Sequence, residues 1–298
     1  MILITGATGN VGSALIAELS SRGVRVRAFV RDCAHAQAIA LPGVEIVQGD
    51  FAEPETFVPA LEGVGALFLL IPSSSKVEAQ QRDFVDGARR SGVKHIVKLS
   101  QFAADEHAPG RFQRYHAAIE RHIRDSEIPY TFLRPNLFMQ GLLLLRSTIA
   151  SEGAFYLSAD EATVSVVDVR DIASVAAQVL IEPGHDGKTY DLTGPEALTH
   201  AEMADRLSKA TGRLIRHVDI PSAAMRQALI GFGMPAWQAY GLVEDYEHYR
   251  RGEASVVTTT VRDITGSEPR TFSQFASDFA GAFGEQPAVT AAAANARE

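Results

Sequence analysis

Short apolar runs alternate with amphipathic stretches through the first half of the chain. Met1–Ile4, Arg25–Val30, Val44–Val47, Gly65–Ile71, His95–Leu99 and Tyr130–Leu133 have strand length. Between them, apolar residues recur at helical spacing up to Ser21, then over Cys33–Ala40, Pro54–Leu61, Val77–Ser91 and Arg111–Ser126. The wholly apolar fourth run suits a strand covered on both faces. Strand and helix in strict alternation predict an α/β fold, a doubly wound parallel sheet with helices on both sides.

The rhythm loosens after the sixth run, which breaks at Arg134-Pro135-Asn136. Val164–Val167, a helix capped at Asp168–Asp171 and running to Leu180, and Thr189–Leu192 then return to the core, with Asp171 read as the N-cap. The expected organisation is a core over 1–136, rejoined by 162–193. A smaller, helix-rich region (137–161 and 194–285) lies over it, and an alanine-rich, disordered tail follows at 286–298.

The 298 residues can bury a large core. With 28 basic against 36 acidic side chains, the net charge of −8 gives no general attraction to nucleic acid. The single cysteine, Cys33, cannot close an intrachain disulfide, which suits a reducing cytoplasm. No run approaches the ~18 apolar residues of a membrane span, and the first strand starts at once, leaving no room for a signal peptide. The nine histidines lack partners at metal-ligand spacing, so no metal is expected.

The chemistry concentrates at Gly6-Ala7-Thr8-Gly9-Asn10-Val11-Gly12, between the first strand and first helix. Glycines here permit a tight turn, close approach of backbone to phosphate, and close packing of helix on strand. The free N–H groups of the helix then face an anion. This is the architecture of a dinucleotide site, with Gly6, Thr8, Gly9, Asn10, Val11 and Gly12 as contacts.

The G-x-x-G-x-x-G spacing resembles the short-chain dehydrogenase/reductase superfamily. So do VEIVQGD at 44–50, GVKHIVKLS at 92–100, IPYTFLRPN at 128–136, VDVRDIA at 167–173 and KTYDLTG at 188–194. Over nearly the whole chain the wording is most similar to the NmrA-like group of atypical members, which holds quinone, azo-dye and triphenylmethane-dye reductases and nucleotide-sensing regulators. The resemblance implies a Rossmann-type sheet with an NAD(P) site, a small C-terminal region over the nicotinamide, and, as a superfamily habit, a homodimer.

One departure is informative. The superfamily's Tyr-x-x-x-Lys pair falls on Phe112 and His116, so the usual acid is absent. Tyr115 and His116 share a helical face with Phe112 and are the candidate replacements. Ser100 matches the family's active-site hydroxyl, or simply caps the end of its strand. His116 reads as a contact to the nicotinamide ribose, as a proton donor, or as a bystander on an amphipathic helix.

Arg31 closes the second strand where an arginine can fork onto a 2′-phosphate, favouring NADP(H) over NAD(H), although Asp32 follows as a competing ribose acceptor. The alternative is a solvated surface charge. Asp50 and Phe51 are placed at the adenine, with a helix-capping role for Asp50 as the alternative. The backbone of Leu70, Ile71 and Pro72 is expected to form a wall beneath the cofactor, and the resemblance places Pro135 and Asn136 beside the nicotinamide. Gln101, Phe102, Phe138, Phe232, Met234, Trp237 and Tyr240 are the acceptor contacts. The aromatics among 232–249 form either a lid for a flat ligand or an ordinary helical core.

Two functions follow. One is an NAD(P)H-dependent reductase, without flavin, of a small conjugated aromatic acceptor. The other is a non-catalytic NAD(P)-sensing regulator.

Overall fold

The computed structural model describes residues 1–284; the expected tail lies outside them. Seven strands form one parallel sheet: β1 (Ile2–Ile4), β2 (Val26–Val30), β3 (Val44–Gln48), β4 (Ala66–Leu69), β5 (His95–Leu99), β6 (Tyr130–Pro135) and, after β7 (Ala154–Leu157), β8 (Lys188–Leu192). Their order is β3-β2-β1-β4-β5-β6-β8, the doubly wound arrangement expected from the alternation. The strand order reverses between β1 and β4. A crevice therefore opens there at the carboxyl ends of the strands.

The helices are α1 (Asn10–Ser21), α2 (Pro54–Phe57), α3 (Val77–Arg90), α4 (Arg111–Asp125), α5 (Arg146–Glu152), α6 (Val169–Ile181), α7 (His200–Thr211), α8 (Ser222–Gly231), α9 (Ala236–Arg250), α10 (Thr260–Thr265), α11 (Phe272–Asp278) and α12 (Ala280–Phe283). Leu15, Leu19, Ile172, Val175 and Val179 of α1 and α6 pack on one face of the sheet. Phe84, Val85, Ile119 and Ile123 of α3 and α4 pack on the other. A third core gathers Phe155, Leu207, Met225, Tyr246, Phe272, Phe275 and Phe283 from the later helices. There β7 pairs in parallel with β9 (Arg216–Asp219) to make a two-stranded sheet that periodicity did not reveal.

Several local expectations change. The helix expected over Cys33–Ala40 is two 3-10 turns, Cys33–His35 and Gln37–Ile39. Residues 54–61 split into α2 and a 3-10 turn at Pro59–Leu61, because the Pro59 nitrogen has no hydrogen to continue the helix. Strand β6 runs on through Arg134 and Pro135, with Pro135 beside Leu192 of β8. The N-cap of α6 is Asp168, which accepts from the Arg170 backbone N–H, and not Asp171. Asp171 instead accepts from the backbone N–H of Arg270 at 2.7 Å and pairs with its guanidinium. Asp171 is drawn away from the helix start by Arg270, which leaves the cap to Asp168.

Candidate active site

The glycine loop lies at the crevice. Gly6 has φ +61°, a conformation that favours glycine, and a Cβ on Gly12 would fall on the Gly6 carbonyl oxygen. Thr5 Oγ1 donates to the Leu70 carbonyl at 3.0 Å and accepts from the Leu70 N–H at 2.8 Å, fastening the loop to the end of β4. Gly9 is the N-cap of α1 and carries no side chain to cap it, while Thr8, Gly9 and Asn10 are exposed. The first N–H groups of α1 thus face outward over a cradle that a side chain would fill. These residues fit a pyrophosphate.

At the end of β2, Arg31 is exposed, and its carbonyl accepts from Gln48 Nε2 at 3.2 Å. Asp32 is already engaged. Its carboxylate accepts from the Ala34 N–H at 2.8 Å and meets His35 Nδ1 at 2.9 Å, and these contacts hold its pKa below the usual range. Asp50 accepts from the Ala52 N–H at 2.8 Å, a local turn and not a helix cap, since α2 is preceded by Glu53. Phe51 packs on Phe29 and Phe84 with ring centres 5.1 and 5.2 Å away. Ile71 is buried, Leu70 half-buried and Pro72 exposed along the same edge.

Beyond β5 and β6 lies a cavity of about 190 Å³ that brings together Ser100, Gln101, Phe102, His116, Pro135, Asn136 and Phe138, with Asp245, His248 and Tyr249 of α9 opposite. Ser100 Oγ donates to Glu120 at 2.6 Å, and Glu120 is fully buried and paired with Arg134. Asn136 is spent on structure. Its amide donates to Ser165 Oγ and to the Ala254 carbonyl, and its oxygen accepts from the Leu137 N–H at 2.8 Å.

His116 is governed by a residue that the sequence reading missed. Lys98 of β5 is fully buried, with Nζ 3.0 Å from Gln81 Oε1, 3.2 Å from the Leu99 carbonyl and 3.1 Å from His116 Nδ1. Burial pushes its pKa down to about 7, with Glu120 opposing. Burial, then Lys98 and Arg134, hold His116 well below the usual histidine pKa, so its imidazole is neutral at pH 7. A protonated Lys98 donates to Nδ1, leaving the Nε2–H of His116 as a donor. That geometry suits hydrogen bonding to a ribose hydroxyl. The signal was present in the sequence: a lone lysine in the otherwise apolar run Ile96-Val97-Lys98-Leu99.

Tyr115 lines the neighbouring cleft with Trp237 and not the His116 cavity, because adjacent helical residues point about 100° apart. Its hydroxyl lies 2.9 Å from Ser73 Oγ, and burial raises its pKa, which weakens it as an acid. The aromatic segment also divides. Trp237 packs at a tilt against Phe112, ring centres 5.3 Å apart, whereas Tyr246 and Tyr249 are buried in the third core. Tyr240 is exposed between Arg111 and Arg226. Phe232 is 81% exposed and, with Met234, lies outside both cavities, on the surface turn joining α8 to α9.

Side chains fasten α9 over the sheet edge. Arg111 pairs with Glu244 at 2.7 Å, Gln101 Nε2 donates to Asp245 at 2.9 Å, and Gln238 donates to the Ser73 carbonyl. Among the described residues no cluster of three or more His, Cys, Asp or Glu could hold a metal, and no helix is long and apolar enough to cross a membrane.

The family model described as the NmrA-like family matches residues 1–276. The NAD(P)H azoreductase of Xenophilus azovorans is 37% identical over 284 residues, 95% of this chain and 99% of the relative. The structure of the Escherichia coli NADPH-dependent quinone oxidoreductase complexed with NADPH superposes with a TM-score of 0.84 at 29% identity, covering 94% of this chain and 99% of that one. The Citrobacter triphenylmethane reductase complexed with NADP(H) gives 0.79 at 30% identity, covering 94% and 100%.

Proposed function

The chain belongs to the NmrA-like family, and we propose that within it this protein is an NADP(H)-dependent reductase of a small conjugated aromatic acceptor of the quinone, azo or triarylmethane type. The observation that carries the reading is that the glycine cradle and the cavity lie at the same carboxyl edge of one parallel sheet, the first after β1 and the second after β5 and β6. A dinucleotide bound along that edge would supply a hydride at the cavity, with no flavin needed.

The chain's own residues bind and orient. The Gly6–Gly12 loop and the start of α1 hold the pyrophosphate. Arg31 is free to meet a 2′-phosphate while Asp32 is occupied by its own turn and His35, which favours NADP(H) over NAD(H). His116 Nε2–H, set by Lys98, holds the ribose. Gln101, Phe102 and Phe138 form the strand-side wall of the acceptor pocket and α9 the opposite wall. An electron-poor acceptor held against that wall needs mainly orientation.

The test is incubation with NADPH and a panel of quinones, azo dyes and triarylmethane cations while the nicotinamide absorbance is followed. Turnover with at least one acceptor is expected. Tight binding of oxidised and reduced nucleotides without turnover would replace the reductase by a nucleotide sensor.

A further inference from the structure

Asp245 is the one carboxyl group in the cavity wall, and no role has yet been given to it. It projects from α9, is 6% exposed, and accepts from Gln101 Nε2 through Oδ1 at 2.9 Å. Among the described residues Oδ2 makes no hydrogen bond, yet it is not sealed from the cavity. Among the described residues no lysine or arginine pairs with it.

The titratable groups around Asp245 are Glu244, Tyr246, His248 and Tyr249 on its own helix, and Tyr115 and His116 on α4. Glu244 is an ionised carboxylate paired with Arg111. His248 turns Nδ1 toward Glu253 at 2.6 Å. His116 is neutral. Nothing in the pocket stabilises a carboxylate except the Gln101 amide.

We propose that Asp245 is the proton donor to the bound acceptor in the cavity whose wall it shares with His116. The inference rests on the reductase reading. A quinone or azo acceptor takes one hydride and one proton. As the electron pair enters the conjugated system, the O–H bond of the Asp245 carboxyl breaks and an O–H or N–H bond forms on the acceptor. The carboxylate then regains a proton from solvent. A triarylmethane cation takes hydride alone and becomes a neutral leuco dye, so it has no use for the proton. Burial, with Glu244 adding to it, raises the Asp245 pKa to about 7, so that the acid form is populated at neutral pH.

The two acceptor classes supply the test. In the wild type, kcat with a quinone should fall as pH rises through about 7, while kcat with a triarylmethane cation should not. Asp245→Asn should lower kcat with the quinone by on the order of 10²-fold and erase that alkaline limb, lower dye reduction far less, and leave the NADPH Kd unchanged. Equal losses on both acceptors, an undiminished quinone rate, or the same alkaline limb with the dye would overturn the assignment. The wild-type pH profiles decide the matter even if the variant fails to fold. A wild type that reduces neither acceptor instead removes the reductase reading itself.

Discussion

The two sides of the cavity obtain their geometry in different ways. On the strand side, backbone does the positioning: Gly6 at φ +61°, Gly12 against the Gly6 carbonyl, Leu70 held to Thr5, and the parallel ladder from β1 to β6. On the helical side, α9 is held by side chains reaching across more than a hundred residues, Arg111 to Glu244 and Gln101 to Asp245. The first side is a surface that any dinucleotide of the right shape can use. The second can be re-equipped one residue at a time without disturbing the sheet. Cofactor binding should therefore be rigidly encoded and acceptor choice easily altered.

Substitutions that separate the two sides sharpen this contrast. The largest effect belongs to the cradle. Gly12→Ala should weaken NADPH by on the order of 10²-fold by calorimetry, since a methyl group there displaces the loop; unchanged affinity would break the backbone account. Arg31→Ala should weaken NADPH by about 10- to 100-fold and NADH hardly at all, and parallel losses would mean that no 2′-phosphate sits there.

Lys98→Met removes the Nζ hydrogen bond to His116 Nδ1, which the neutral amine also donates above pH 7, and kcat should drop about tenfold with little change in the acceptor KM. Its stability signature has a definite sign. Because the folded-state pKa of Lys98 is depressed to about 7 from 10.5, its contribution is fully present above 10.5 and is lost as pH falls toward 7. Wild-type stability in denaturant should decline over that window, and the Lys98→Met profile should be flatter. The smallest effect belongs to Phe232→Ser, which should leave kcat and KM unaltered. A large loss would mean that the α8–α9 turn folds over the acceptor.

The sheet and the glycine cradle were legible because they rest on local rules: period, strand length, and residue type at a turn. The turns at 33–39 were misread because Cys33–Ala40 lacks only the tertiary cover a helix there would need: Ile39 and Ala36 are buried, and the rest is exposed. Lys98 was visible as a charge in an apolar strand, but only the fold shows that Gln81 and His116 surround it. Asp245 carried no local signal at all. Its character comes from Gln101 and from burial, both set by tertiary structure, and the small β7–β9 sheet was hidden for the same reason.

The most direct test of hydride delivery compares NADPH with NADPH deuterated on both faces of C4, using protein shown to be free of flavin and the same acceptor panel. Oxidation with at least one acceptor, measurably slower for the deuterated cofactor in single turnover, is the predicted result. Binding of the cofactor with no oxidation by any acceptor would contradict it.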